Sequence, residues 1–142
     1  MTTKYAKIAA AELIQEGGVL VGSTALDGSN GENVNQDIDI ALTWETYLVV
    51  LDKSDYLKRD GYYMKQHRNY YEKSKLTLRN GVESITFRDG TKLDLLFYDE
   101  DKLPSVQKAI NMMSKEADLF LKNKERRVRI FEMLVSSLYK YK

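Results

Sequence analysis

Apolar residues recur at intervals of three and four along much of the chain, which is the spacing of one buried face of an α-helix. Four segments show this pattern: residues 4–16, the segment after Thr43, residues 106–121 and residues 128–138. Gly17 and Gly18 are expected to end the first helix, and Thr43 is expected to cap the second. The only proline, Pro104, is expected to separate a sheet from two C-terminal helices.

Other segments have the composition and alternation of β-strands. They are the apolar run Val19–Val21, the alternating run 36–43, and the runs 83–88 and 91–98, which Asp89-Gly90 separates as in a hairpin. Residues 62–79 are expected to add one or two strands, whereas residues 24–36, rich in Gly, Asn and Ser, are expected to form a loop. This order of elements predicts an α+β fold, with a mixed or antiparallel sheet flanked by helices.

Size and composition limit the classes of protein to which the chain can belong. Its 142 residues, 43% of them hydrophobic, fit one domain with a substantial core. We divide this domain into residues 1–103, which carry the sheet, and residues 104–142, a helical extension packed on it. There is no Cys and only one His, His67, which excludes thiolate zinc sites, multi-His metal sites and a Cys nucleophile.

The same inventory points to a soluble protein of the cytoplasm. No apolar run is long enough to span a membrane, and the first seven residues lack the apolar core of a signal peptide. The net charge is only +1, but residues 22–60 hold eight acids and three bases, whereas residues 100–142 hold six acids and ten bases. An acidic N-terminal segment and a basic C-terminal segment suit a site that holds cations and attracts a polyanion. Solvated surface is the commoner reason for such charge patterns.

Three acidic residues lie on predicted strands where they are able to meet. Asp37 and Asp39 are two residues apart, so their side chains point to one face of a strand, and Asp94 lies between leucines on another strand. Because neighbouring ionised carboxylates repel, either their pKa values rise or a cation binds. Mg²⁺ prefers such oxygens, and two ions ~4 Å apart stabilise the attacking and leaving oxygens of a phosphoryl transfer.

A Gly-Ser pair supplies the complementary chemistry for a phosphate. Gly22 allows the backbone to approach a phosphate closely, and Ser23 offers a hydroxyl and an N–H at the end of a strand. The loop over residues 24–36 would then close over a triphosphate held against the metal ions.

Val21-Gly22-Ser23, Asp37-Ile38-Asp39 and the later Asp94 resemble the signature of the DNA polymerase β-like nucleotidyltransferase superfamily. The resemblance covers most of residues 4–98 and is most specific over residues 21–42. It implies a nucleotidyltransferase-like fold, Mg²⁺ or Mn²⁺ as the cofactor, and transfer of a nucleoside monophosphate from an NTP to an RNA, protein or small-molecule acceptor.

The resemblance also implies roles for individual residues. Asp37 and Asp39 would be metal ligands, Asp94 would be the third ligand and help to activate the acceptor, and Ser23 would hold the β- or γ-phosphate. The chain departs from the family in three ways. Val21 stands where many members have a first glycine, the spacer between Ser23 and Asp37 is long at thirteen residues, and these 142 residues are not expected to include a large second domain. Minimal members use a few C-terminal helices or a partner protein instead.

The basic run after residue 121 is the remaining candidate for substrate binding. A solvated helix face is the simpler interpretation, but if one base reaches the nucleotide, Arg126 or Arg129 is expected to be that base. A second function stays open beside the enzyme: a catalytically inactive module with this fold that binds a nucleotide, a nucleic acid or a partner protein. A third possibility is a two-protein system in which a separate helical protein completes or silences the site.

Overall fold

The computed structural model of the protein describes residues 4–27, 37–60 and 78–141. In these residues, helices flank both faces of a four-stranded sheet, which is the α+β arrangement that the sequence predicts. In chain order the elements are α1 (Tyr5–Gln15), β1 (Val19–Val21), α2 (Gly22–Asp27), β2 (Ile38–Leu42), α3 (Trp44–Lys53), α4 (Asp55–Asp60), β3 (Gly81–Thr86), β4 (Lys92–Phe97), a 3₁₀ turn (Glu100–Lys102), α5 (Leu103–Ser114), α6 (Ala117–Leu121) and α7 (Lys124–Lys140).

The sheet is mixed, with the strand order β1-β2-β4-β3. Strands β3 and β4 form the predicted antiparallel hairpin, and Gly90 in its turn has a φ of +85° that favours glycine. Strand β1 pairs antiparallel with β2, whereas β2 and β4 are parallel neighbours. The parallel pair is the decisive contact for the site, because it sets β2 directly beside the strand that carries Asp94.

The register of the four strands aligns four residues in one row across the sheet. Val21 pairs with Asp39, Asp39 pairs with Asp94, and Asp94 pairs with Ser84. Since paired residues in a ladder share a face, all four side chains project to the same side of the sheet. We call this set of residues the acidic row.

The two faces of the sheet bury different hydrophobic cores. On the face opposite the acidic row, strand residues such as Ile40, Leu95 and Phe97 pack against helices α1 and α3. On the face of the acidic row, Val21 and Ala41 pack against residues of the C-terminal helices such as Val106 and Phe131. A site on the acidic row is therefore covered by α5 and α7.

Several helix boundaries follow the local chemistry that the sequence predicts. Thr43 caps α3 by accepting a hydrogen bond of 3.0 Å from the Thr46 amide. Gly17, with a φ of +109°, ends α1 as expected. Gly18 then passes so close to α1 that a Cβ there would lie 2.9 Å from the Leu13 carbonyl oxygen. These contacts fix the direction in which the chain enters β1.

Some predicted boundaries were wrong. The described C-terminal region has three α-helices instead of two, because α5 ends at Ser114 and α6 starts at Ala117. Apolar spacing continues across this break, so periodicity alone does not reveal it. Of the residues predicted as loop, Thr24 to Asp27 belong to α2. Residues 55–60 form α4, a helix that the sequence did not predict.

Met113 is buried in the core, whereas its neighbour Met112 is 47% exposed. Residues 28–36 of the predicted loop 24–36, and residues 62–77 of the segment 62–79 in which one or two strands were expected, lie outside the described residues. Among the described helices, none combines the length and apolar character needed to cross a bilayer.

Candidate functional site

A pocket of about 450 Å³ lies between the acidic row and helices α5 and α7. Its lining combines carboxylates, cations and apolar side chains: Val21, Gly22, Ser23, Asp37, Asp39, Arg79, Val82, Ser84, Asp94, Leu96, Ile110, Met113, Lys124, Arg127, Val128, Phe131 and Glu132. A small number of polar groups converging on a partly apolar pocket is the usual composition of a ligand site.

The three acidic residues singled out from the sequence all line this pocket. Asp39 and Asp94 are paired across parallel strands, so their carboxyl groups are neighbours on one face of the sheet. Burial, followed by the charges of Asp94 and Asp37, raises the pKa of Asp39 from 3.8 to about 7, while Arg127 acts in the opposite direction. Asp37 precedes β2 and is exposed, so it lies at the mouth of the pocket.

Asp94 has a partner that the sequence analysis missed. The Ser84 hydroxyl on strand β3 donates a hydrogen bond of 2.5 Å to Asp94 Oδ1. The predicted hairpin did not give this partner, because a two-residue turn at Asp89-Gly90 would set Ile85 opposite Asp94. In the structure Phe87 bonds to Thr91, so the turn has one residue more and Ser84 lies opposite Asp94. Ser84 thereby orients the Asp94 carboxylate from the neighbouring strand.

Gly22 and Ser23 begin helix α2 beside the carboxylates. Gly22 has a φ of +68°, and a Cβ at this position would lie 2.1 Å from Asp39 Oδ2. The Asp39 carboxylate therefore occupies the space that any larger side chain at residue 22 would fill. Thr24, fully buried, donates a hydrogen bond of 3.1 Å to the Asp37 carbonyl and ties α2 to the start of β2.

Replacing Gly22 by Ala is expected to destabilise the protein and to displace the Asp39 carboxylate. The left-handed backbone alone costs about 1 kcal/mol for a non-glycine residue, and the overlap with Asp39 adds to this cost. Thermal unfolding should show a melting temperature lower by several degrees, on the order of 2–4 °C per kcal/mol. A matched Gly17→Ala variant separates the two causes, because Gly17 also has a positive φ but open space around its Cα. An equal loss in both variants would contradict the proposed contact with Asp39.

Helix α7 contributes one face to the pocket. The residues that line it are spaced as one side of a helix: Lys124, Arg127, Val128, Phe131 and Glu132. Arg127 donates from Nη1 to the Phe120 carbonyl oxygen at 3.1 Å, which anchors its guanidinium beside the pocket. Arg126 and Arg129, the two bases expected from the sequence, are exposed and are not among the lining residues.

The predicted residues Gly22, Ser23, Asp37, Asp39 and Asp94 therefore all line one pocket, although the three acids are not close enough to form a metal site by themselves; Arg126 and Arg129 do not line it. The cations that the structure adds are Lys124 and Arg127 on α7, together with Arg79, which is ion-paired to Glu132. A run of five bases in one short segment gave no means of choosing among them, because the phase of α7 depends on its packing against the sheet.

No protein-family model matches the chain, and neither a search of curated proteins nor one of solved structures finds a significant match. The function of the pocket is therefore inferred from its own residues.

The ability of these carboxylates to hold a metal ion depends on how many ligands the protein itself must provide. Within residues 4–27, 37–60 and 78–141, no three His, Cys, Asp or Glu side chains are gathered closely enough to form a protein-only metal site. Mg²⁺ does not require such a cage, since one or two carboxylates with substrate phosphates and water complete its octahedron. The adjacent carboxylates of Asp39 and Asp94 fit that requirement.

Proposed function

We propose that this protein is a metal-dependent nucleotidyltransferase that transfers a nucleoside monophosphate from an NTP to an acceptor hydroxyl. The observation that carries the proposal is the juxtaposition of Asp39 and Asp94 with Gly22-Ser23 on one side and Arg127 on the other. Carboxylates suit a divalent cation, whereas backbone amides, a hydroxyl and a guanidinium suit phosphate oxygens. A nucleoside triphosphate carrying Mg²⁺ or Mn²⁺ is the ligand class that uses both sets together.

The raised pKa of Asp39 supports a cation as part of the ligand. Burial and the neighbouring carboxylates make the ionised form of this group unfavourable. A divalent cation would reverse that balance, because it attracts both carboxylates and replaces their mutual repulsion. Gly22 supports the proposal as well. Because glycine has no side chain, the Asp39 carboxylate lies directly against the backbone that would bind a phosphate.

Each residue has a defined part in the transfer. Bound Mg²⁺ or Mn²⁺ would stabilise negative charge on the reacting phosphate and on the two oxygens in line with it. Asp94, oriented by Ser84, accepts the proton of the acceptor hydroxyl as its oxygen bonds to the α-phosphorus. The bond from the α-phosphorus to the bridging oxygen breaks, and pyrophosphate leaves toward Ser23, Lys124 and Arg127.

The acceptor reaches the reacting phosphate from the open side of the pocket. Asp37, the most exposed of the three carboxylates, marks that side. A pocket of about 450 Å³ has room for a nucleotide but not for a folded RNA or protein as well. We therefore place the NTP inside the pocket and the acceptor, whether RNA, protein or small molecule, at its mouth.

A catalytically inactive module that binds a nucleotide, a nucleic acid or a partner protein is the second candidate. One observation favours it: the described residues hold no ready-made site with three protein ligands for a metal. The two candidates differ in metal dependence. The enzyme requires a divalent cation for turnover and loses its activity when Asp39 is replaced. The module binds its ligand without forming product.

The test is a transfer assay in cell lysate with each α-³²P-labelled NTP, with and without Mg²⁺ or Mn²⁺. Protein carrying Asp37→Ala and Asp39→Ala serves as the control. We expect metal-dependent label in RNA, protein or a small molecule, and its loss in the control, which also identifies the class of acceptor. Absence of label with every NTP, from folded protein, would contradict the enzyme and favour the binding module.

A further inference from the structure

Part of the pocket has no evident role in binding phosphate or metal. Its apolar lining consists of Val82, Leu96, Ile110, Met113, Val128 and Phe131. Val82 and Leu96 are paired on the sheet and lie two residues along their strands from Ser84 and Asp94. At about 3.3 Å per residue, this apolar floor begins about 7 Å from the acidic row.

An ion pair lies at the apolar end of the pocket. Arg79 Nη1 donates to Glu132 Oε1 at 2.5 Å, and both residues line the pocket. Glu132 follows Arg127 by five residues on α7, which is about 7 Å along the helix axis. The order of groups along α7 therefore matches the order along the strands. In both, the phosphate-binding groups lie at one end of the pocket and this ion pair lies at the other.

The ion pair keeps contact with solvent, with side-chain exposures of 30% for Arg79 and 24% for Glu132. A ligand in the pocket is thus able to reach the remaining guanidinium N–H groups and the second carboxylate oxygen. The pair offers donors and an acceptor side by side, next to apolar side chains. This combination suits the edge of a flat heterocycle whose faces are apolar.

We propose that the apolar end is the nucleobase subsite and that Arg79 and Glu132 select guanine. The inference rests on the proposed function, because it takes the phosphates to lie at the acidic row. Guanine presents N1–H and the N2 amino group to a carboxylate and its O6 to a guanidinium. Adenine presents an unprotonated N1 at the same position, which would face the Glu132 carboxylate without a hydrogen bond.

The size of the selection follows from the charged hydrogen bonds involved. A hydrogen bond to a charged group is worth enough to change affinity about tenfold or more. Inosine triphosphate lacks only the N2 amino group of guanine, so it should bind about tenfold more weakly than GTP, and ATP should bind more weakly still.

The experiment measures equilibrium binding of GTP, inosine triphosphate and ATP to the full chain in Mg²⁺ by titration calorimetry. Glu132→Gln should weaken GTP binding about tenfold and change ATP binding little, since adenine does not use the lost acceptor. Glu125→Gln is the matched control, because Glu125 is an exposed residue of the same helix outside the pocket. Thermal unfolding of both variants verifies that the fold is kept.

The outcomes separate this inference from the function on which it rests. Tighter binding of GTP than of the other two, lost selectively in Glu132→Gln, supports guanine selection. Equal binding of the three nucleotides, tighter binding of ATP, or a uniform loss in Glu132→Gln overturns the base assignment and leaves the transferase standing. If none of the three binds, both proposals are overturned.

Discussion

Replacement of Asp39 by Asn is expected to abolish nucleotide transfer while making the metal-free protein more stable. Asn removes a charged ligand for the divalent cation, and loss of several kcal/mol of transition-state stabilisation lowers the rate by about 10³-fold or more. The same change removes a largely buried carboxylate whose charge is repelled by Asp94 and Asp37. Initial rates from a transfer assay and melting temperatures without metal measure the two effects on one protein.

The stabilising effect has a predictable dependence on pH. The pKa of Asp39 is about 7 in the folded protein against an ordinary value of 3.8, so the folded state holds the proton more tightly. Between these values the unfolded state binds fewer protons, and the free energy of unfolding therefore falls as pH rises from about 4 to about 7. The Asn variant lacks this group, so its advantage in melting temperature should be largest at pH 8 and small near pH 4.

Asp52→Asn is the matched control for this substitution. Asp52 is exposed on α3 and does not line the pocket, so the transfer rate should not change appreciably. An Asp39→Asn protein that turns over as fast as the parent would refute the catalytic role. A variant that is less stable than the parent at pH 8 would refute the account of repulsion between carboxylates.

Replacement of Arg127 by Met is expected to raise the KM for the NTP about 10- to 100-fold, the range that loss of a charged hydrogen bond produces. Arg127 lines the pocket, is within electrostatic reach of Asp39, and is held in place by the Phe120 carbonyl. The neighbouring variants Arg126→Met and Arg129→Met should retain the parent KM, because both side chains are exposed outside the pocket.

These three variants compare two explicit predictions. The sequence favoured Arg126 or Arg129 as the base that reaches the nucleotide, whereas the phase of α7 favours Arg127. A raised KM in Arg126→Met or Arg129→Met, with Arg127→Met unaffected, would support the prediction from sequence and contradict the structure. Met also removes the hydrogen bond to Phe120, so melting temperatures are needed to separate a binding defect from a change in fold.

The carboxylates are the part of the site that the sequence predicts best. Asp37 and Asp39 are two residues apart, and the period of a strand predicts a common face for them without any tertiary information. Asp37 directly precedes β2 instead of lying in it, and both residues line the pocket. The position of Asp94 was conditional on which strands are neighbours. The parallel pairing of β2 with β4 is a long-range contact that no local pattern encodes, and the structure supplies it.

Elements that depend on long-range packing were predicted less well. Apolar spacing placed the helical region after Pro104 correctly, but it missed the break between α5 and α6 because the spacing continues through it. Apolar character along the sequence likewise does not distinguish Met112 from Met113, adjacent residues of which only Met113 is buried in the core. Arg79 and Glu132 are 53 residues apart, and their ion pair follows only from the packing of α7 on the sheet.

A crystal structure with Mn²⁺ and an NTP analogue that resists cleavage between the α- and β-phosphates would test the central claim most directly. Anomalous scattering from Mn²⁺ locates the metal independently of the nucleotide. We predict a metal peak bound by Asp39 and Asp94, with the phosphates contacting Ser23 and Arg127. A nucleotide bound outside this pocket, or one bound in it with no metal at these two carboxylates, would contradict the account.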